Sequence, residues 1–138
     1  FVRFGDNVSE PVVEEGCADI LIAFERLEAL RYSHFLRKDG IIIVNDCRID
    51  PMTVVIGARE YPANILGKLG VAVDLTAVDA LALAREAGNQ KAVNVVLIGV
   101  MAKNTEIAYE DWVETIKATV PPKFLEANLK AFDLGYHL

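Results

Sequence analysis

Two short runs of uninterrupted apolar residues, ILIAF at 20–24 and IIIVN at 41–45, bracket a helix-like stretch, and this spacing constrains the chain more than any other feature. A strand buried on both faces reads as a continuous apolar run, whereas a strand with one wet face alternates. Between the runs, Leu27, Leu30 and His34 recur at helical spacing with Phe35 beside them, which predicts a helix over 25–36. Lys38, Asp39 and Gly40 close it, with Gly40 able to take the left-handed cap. The turn between the first strand and this helix raises a question. In open α/β sheets ligands gather beyond the carboxyl ends of the strands. A phosphate-binding turn would carry glycines there so that backbone amides could approach the ligand. This chain carries Glu25 and Arg26 instead.

The rest of the chain continues the alternation and then stops it. FVRFGDNVSEPVV at 1–13 alternates, turns at Gly5–Asp6–Asn7 and alternates again, which predicts a hairpin. TVVIG at 53–57 reads as a weaker strand, 62–68 as a short helix and VAVDL at 71–75 as a further strand. Thr76 should cap the next helix, with Asp79 at the third position of a capping box and Gly88 at the end. AVNVVLIGVMAK at 92–103 is apolar all round; its β-branched residues favour strand, but its length decides for a buried helix. Helices over 110–119 and 123–134 follow, with Pro121 and Pro122 between them and Gly135 closing the last. The expected fold is α/β: a three-layer α/β/α sandwich around a mainly parallel sheet, with an antiparallel amino-terminal edge hairpin and a helical carboxyl-terminal end. A length of 138 residues suits one domain, 1–138.

Composition removes several classes of function. The formal net charge is −6 and the basic residues are scattered, which argues against nucleic acid. The longest apolar run is too short to span a bilayer and contains Asn94. No signal peptide is visible, so a cytoplasmic setting is expected, with Cys17 and Cys47 as free thiols. Two distant cysteines cannot hold an iron–sulfur cluster, and His34 and His137 form no zinc-binding pair. The chain opens mid-pattern on Phe1, as if its true beginning were missing.

The candidate ligand- or partner-facing residues are Glu25, Glu28, Arg31, Asn45 and Asn94. Glu25 either favours the start of the helix through the macrodipole or faces a ligand at the strand end. Glu28 and Arg31 form an i,i+3 pair, yet Arg31 also falls on the apolar stripe, where it could meet an anion or a partner. Asn45 ends a buried strand and either caps the next turn or binds. Asn94, in the apolar helix, must find hydrogen-bond partners if buried. Asp46 and Asp50 have no acid to work with, and no nucleophilic pattern surrounds His34. These residues describe a scaffold: they build no catalytic set and no metal site.

Four stretches in order, ADILIAFERLEALRY, the Lys–Asp–Gly turn into IIIVN, GNQKAVNVVLIGVMA and VPPKFLEANLKAFDLG, resemble the gamma-type subunits of 2-oxoacid:ferredoxin oxidoreductases. The FE-x-x-EALR turn and the KF-x-x-x-NLKAF-x-x-G helix point to the indolepyruvate branch. The resemblance runs over essentially the whole chain. It implies a complex that converts a 2-oxoacid and coenzyme A to an acyl-CoA and carbon dioxide while reducing ferredoxin. Thiamine diphosphate and iron–sulfur clusters would lie in partner subunits, and this chain would pack on the thiamine-bearing large subunit. The family's opening strand, G-x-G-G-Q-G turn and helix are not in this sequence, which implies an exposed edge and a possible homodimer in isolation. The alternative is a stand-alone α/β module that binds a nucleotide or acyl-CoA without redox activity.

Overall fold

The two apolar runs pair in parallel, as predicted. In the computed structural model, which describes residues 1–138, β1 (Ala18–Ala23) lies beside β2 (Leu36–Asn45) with Ile20 opposite Ile41, Leu21 opposite Ile42, Ile22 opposite Ile43 and Ala23 opposite Val44. β3 (Asp74–Val78) completes a sheet of order β1–β2–β3. A parallel pair requires a crossover, here α1 (Arg26–Tyr32) and a single 3₁₀ turn, Ser33–Phe35. Ile42, Ile43 and Val44 are each fully buried, so the middle strand is covered on both faces, as its uninterrupted apolar run requires.

The chain divides into two compact units, Phe1–Thr76 and Ala77–Leu138. The first is built around Ala23, Ala29, Ile42, Val44, Ile65 and Leu69, with Leu21, Leu27, Leu30 and Tyr61 packed against them. Ala29 and Ala23 are small enough to bring α1 close to the sheet. α2 (Met52–Val55) and α3 (Ile65–Ala72) also belong to this unit. The second unit holds α4 (Ala80–Glu86), a 3₁₀ turn Gln90–Ala92, α5 (Val93–Ala102), α6 (Tyr109–Thr119) and α7 (Pro122–Tyr136). Its centre is Phe132, fully buried with Val96, Leu97, Val100 and Ala131.

The structure corrects several local expectations. Residues 1–13 form no hairpin: the segment has no strand to pair with, and only Val13 in it is buried. Alternation without a surface to cover does not make a strand. Residues 53–57 are not a strand either. The backbone satisfies itself locally, with Val54 and Val55 N–H donating to the Pro51 carbonyl at 2.8 and 3.0 Å, and forms the single turn of α2. The expected strand at 71–75 begins instead at Asp74, because helical spacing carries Ile65 and Leu69 into the core and leaves Val71 in solvent. Thr76 lies inside that strand, and Asp79 itself caps α4, its Oδ1 accepting from Ala82 N–H at 3.0 Å. The Lys38–Asp39–Gly40 turn ends no helix. It forms an irregularity at the start of β2, where the register jumps between Ala18 and Ile20. Asp39, at φ 64°, takes the left-handed position, while Gly40 is needed because a Cβ would lie 2.8 Å from Leu36 Cγ and 3.0 Å from the Asp19 carbonyl oxygen.

Gly135 does not close the last helix, which runs on to Tyr136. It faces α5, and Gly99 of α5 faces back. A Cβ on Gly135 would strike the Val96 carbonyl, and one on Gly99 would strike the Phe132 carbonyl and lie 2.9 Å from the Tyr136 nitrogen. Backbone atoms cannot swing aside as side chains do. Gly99→Ala and Gly135→Ala should therefore each destabilise the protein by about 1–3 kcal/mol. Gly70→Ala, whose added methyl meets nothing nearer than Leu75 Cδ2 at 3.7 Å, should be neutral or stabilise the protein by up to about 1 kcal/mol. Urea unfolding midpoints of the three variants check this.

Candidate functional site

The carboxyl ends of β1 and β2 converge on one buried carboxylate. Glu25 stands immediately before α1 in extended backbone, as an N-cap, and is only 5% exposed. Its Oε2 accepts from Leu27 N–H at 2.7 Å and Glu28 N–H at 3.2 Å. Its Oε1 accepts from Ile49 N–H at 3.3 Å and from the Tyr61 hydroxyl. The first-turn amides of α1 are thus filled by the protein's own carboxylate. That is why this turn needs no glycine and presents no cradle to a phosphate.

Around this centre the loop after β2 is tied down. Arg26 N–H donates to the Cys47 carbonyl at 3.2 Å, and Arg26 Nε donates to Asp46 Oδ1 at 2.5 Å. Asn45, at the buried end of β2, donates through Nδ2 to the Phe24 carbonyl and to Cys47 Sγ, both at 3.3 Å. The Cys47 thiol donates to the same Phe24 carbonyl at 3.1 Å. Burial first, then the negative charge of Glu25, pushes that thiol up, while Arg26 pulls it down. Cys17 and Cys47 are both free thiols. Arg48 holds Asp50 at 2.6 Å and lies over the Tyr61 ring, 4.4 Å from its centroid. Burial and the Glu25 hydrogen bond push the Tyr61 hydroxyl up to about 12.

Beside these groups opens a crevice of about 360 Å³, lined by Arg26, Arg48, Tyr61 and the stretch from Pro62 to Leu66. Its chemistry is mixed: two guanidinium groups, a phenol ring, and the apolar Pro62, Ile65 and Leu66. Each arginine holds its carboxylate through Nε, Arg26 on Asp46 and Arg48 on Asp50. Such a lining suits an anion attached to a flat or apolar body. A smaller hollow of about 210 Å³ is lined by Glu25, Glu28, Arg31, Ile49 and Pro51.

Of the residues expected from sequence, Glu25 and Asn45 meet at the strand ends as buried groups. Glu28 and Arg31 pair at 2.8 Å on the surface, close to that centre. Asn94 belongs to the second unit and is exposed, so it needs no buried partner. The buried amide of the second unit is Asn128, which donates to the Phe124 carbonyl one turn back at 2.8 Å. Arg26 stands in the turn that the sequence marks out, though not among the candidates; Tyr61 and Arg48 have no such place in the sequence reading. The one available signal is that a tyrosine packed into a core needs a partner for its hydroxyl. No group of three or more His, Cys, Asp or Glu side chains comes together that could hold a metal ion. No helix is long and apolar enough to cross a membrane.

The family model for pyruvate ferredoxin/flavodoxin oxidoreductase matches residues 1–138. The chain belongs to that family. Indolepyruvate oxidoreductase subunit IorB of Pyrococcus horikoshii is 42% identical over 98% of this chain, and its counterpart in Thermococcus kodakarensis is 40% identical over the same share. The chain spans 70% of the length of each. The crystal structure of a keto/oxoacid ferredoxin oxidoreductase gamma subunit from Geobacter sulfurreducens shares the fold, with a TM-score of 0.65 at 23% identity, over 91% of this chain and 66% of that one. In this oxidoreductase-family chain the strand-end turn is sealed by Glu25, and the open chemistry lies beside it.

Two consequences can be measured. Glu25→Ala removes the cap of α1 and strands the Tyr61 hydroxyl, and should cost about 2 kcal/mol or more. Arg31→Ala loses only an exposed pair and should cost less than about 0.5 kcal/mol. Denaturant titration of both variants separates them. Tyr61 should ionise late, near pH 12, by tyrosinate absorbance, and Tyr61→Phe should reduce that late step, to which Tyr109, also pushed up by burial and by Asp133, contributes. The raised value means the native state favours the neutral phenol. This contribution to stability is complete below the ordinary value of 10 and is lost as pH rises through about 12.

Proposed function

We propose that this chain is an accessory subunit of an indolepyruvate-type 2-oxoacid ferredoxin oxidoreductase. The observation that carries this reading is the 42% identity over 98% of the chain to a protein of that name. The complex would break the bond between the carboxylate and the oxo carbon, join the acyl carbon to the sulfur of coenzyme A, and release carbon dioxide. The two electrons would pass to ferredoxin. The residues of this chain do not fit an iron–sulfur cluster: they offer two separate cysteines and no metal-binding cluster. On this proposal the iron–sulfur clusters, which would conduct the electrons, and thiamine diphosphate, which would supply the electron sink for decarboxylation, sit in partner subunits. In this reading both units form one accessory domain, packed on the thiamine-binding large subunit in the cytoplasm.

The contribution of this chain is a binding surface. Arg26, Arg48 and Tyr61 line the crevice at the strand ends, and their charge and ring suit the phosphates and adenine of coenzyme A. That same crevice supports the second reading, a stand-alone acyl-CoA or nucleotide module.

Reconstitution distinguishes the two. Co-expressed with the thiamine-binding subunit, the chain should support reduction of ferredoxin or viologen that depends on indolepyruvate and coenzyme A. Alone it should support none. Arg48→Ala in the complex should raise KM for coenzyme A roughly ten-fold or more with kcat little changed, as loss of a charge-assisted bond predicts. No stable complex, together with a rise in melting temperature of the lone chain on adding coenzyme A, would favour the module.

A further inference from the structure

We propose that residues 46–64 form a strap that lifts from the strand ends, by releasing Ile49 and Tyr61 from the Glu25 carboxylate, while β1, β2, α1 and α3 stay folded. The first observation is burial. From Asp46 to Asn64 no residue is fully buried, although Ile49, Met52, Val55 and Ile56 are large and apolar, each at least 65% exposed. Tyr61 is the strap residue that leans on the core of the first unit. A connection this long without core residues is uncommon in a compact unit, and segments with few buried contacts open locally at little cost.

The second observation is where the strap is tied. The hydrogen bonds that tie it to α1 and the strand ends go to Phe24, Glu25 and Arg26, and to Asn45 where the strap leaves β2. Ile49 N–H and the Tyr61 hydroxyl reach Glu25. Asp46 and the Cys47 carbonyl reach Arg26, and the Cys47 thiol reaches the Phe24 carbonyl. The Arg26 and Cys47 ties lie at the strap's first residues, where it joins β2, and act as a pivot. The Glu25 ties lie further along and act as a latch. At the far end Asn64 holds the left-handed conformation, φ 54°, directly before α3. Such end positions absorb the dihedral changes of a hinge.

The third observation is what the strap walls. Arg48, Tyr61, Pro62, Ala63 and Asn64 of the strap line the 360 Å³ crevice together with Arg26, Ile65 and Leu66 of the fixed scaffold. Opening would reshape the crevice by moving the strap's share of its lining. What enters rests on the function proposed above. The motion itself does not, and it is measured without ligand or partner.

Native-state hydrogen exchange followed by mass spectrometry tests it on the chain as expressed. Peptides covering 47–60 should exchange at least roughly ten-fold faster than those covering 20–24 and 41–45, since the four-residue α2 cannot keep its hydrogen bonds once detached. Tyr61→Phe removes half of the latch and should speed exchange in 47–60 by roughly a further ten-fold, leaving the strand peptides unchanged. Glu25→Gln, which keeps an acceptor for the α1 amides, should give a smaller rise in the same peptides. Strap and strand peptides exchanging at one rate in the unsubstituted chain would overturn the proposal. So would Tyr61→Phe accelerating both in equal measure, which would mean that the segment opens only with the whole unit.

Discussion

A single carboxylate organises the first unit. Glu25 has four donors, two from its own helix and two from residues 24 and 36 positions further along the chain. Burying an ionised group is costly unless its lone pairs are filled, and here they are. The arrangement also answers what the strand-to-helix turn is for. In phosphate-binding turns the helix amides point at a ligand; here they point at Glu25, so the turn is a closed structural joint. Binding capacity is displaced sideways, to the guanidinium groups of Arg26 and Arg48 and the ring of Tyr61.

That displacement has an electrostatic logic. Arg26 and Arg48 are each neutralised in part by Asp46 and Asp50, so the crevice carries directed donors without a large positive field on an acidic chain. The pairs are exposed and contribute little to stability. Their value is positional: each aspartate fixes the Nε edge of its arginine, which limits the rotamers the terminal nitrogens must lose on meeting an anion.

What could be read from sequence follows the range of the forces involved. Ile41 to Val44 announce a strand buried on both faces, and the run from Val93 to Ala102 announces a buried helix, because local pattern and tertiary burial agree there. Thr53 to Ile56 misled because β-branched residues favour strands only when a sheet edge receives them, and none does. Gly40 and Gly135 invite reading as chain terminators, yet each is demanded by a close approach, of Leu36 in one case and of the Val96 carbonyl in the other. The place of Glu25 and Asn45 at the strand ends was legible because both stand at the end of an apolar run; their hydrogen bonds make them a cap and a clamp. The place of Tyr61 was not, because its hydroxyl finds Glu25 across 36 positions and no local pattern records that contact.

The packing around Phe132 carries a last consequence. The chain has one tryptophan, Trp112 in α6, whose indole lies 6.4 Å from the Phe132 ring in the second unit. Indole fluorescence is therefore an optical label that nature has placed on the helical unit alone. Tyrosine absorbance reports both units, since Tyr32 and Tyr61 lie in the first and Tyr109 and Tyr136 in the second. Recorded in one melt, a signal from the helical unit and a signal from the whole polypeptide trace one curve if the halves melt cooperatively and two if they do not.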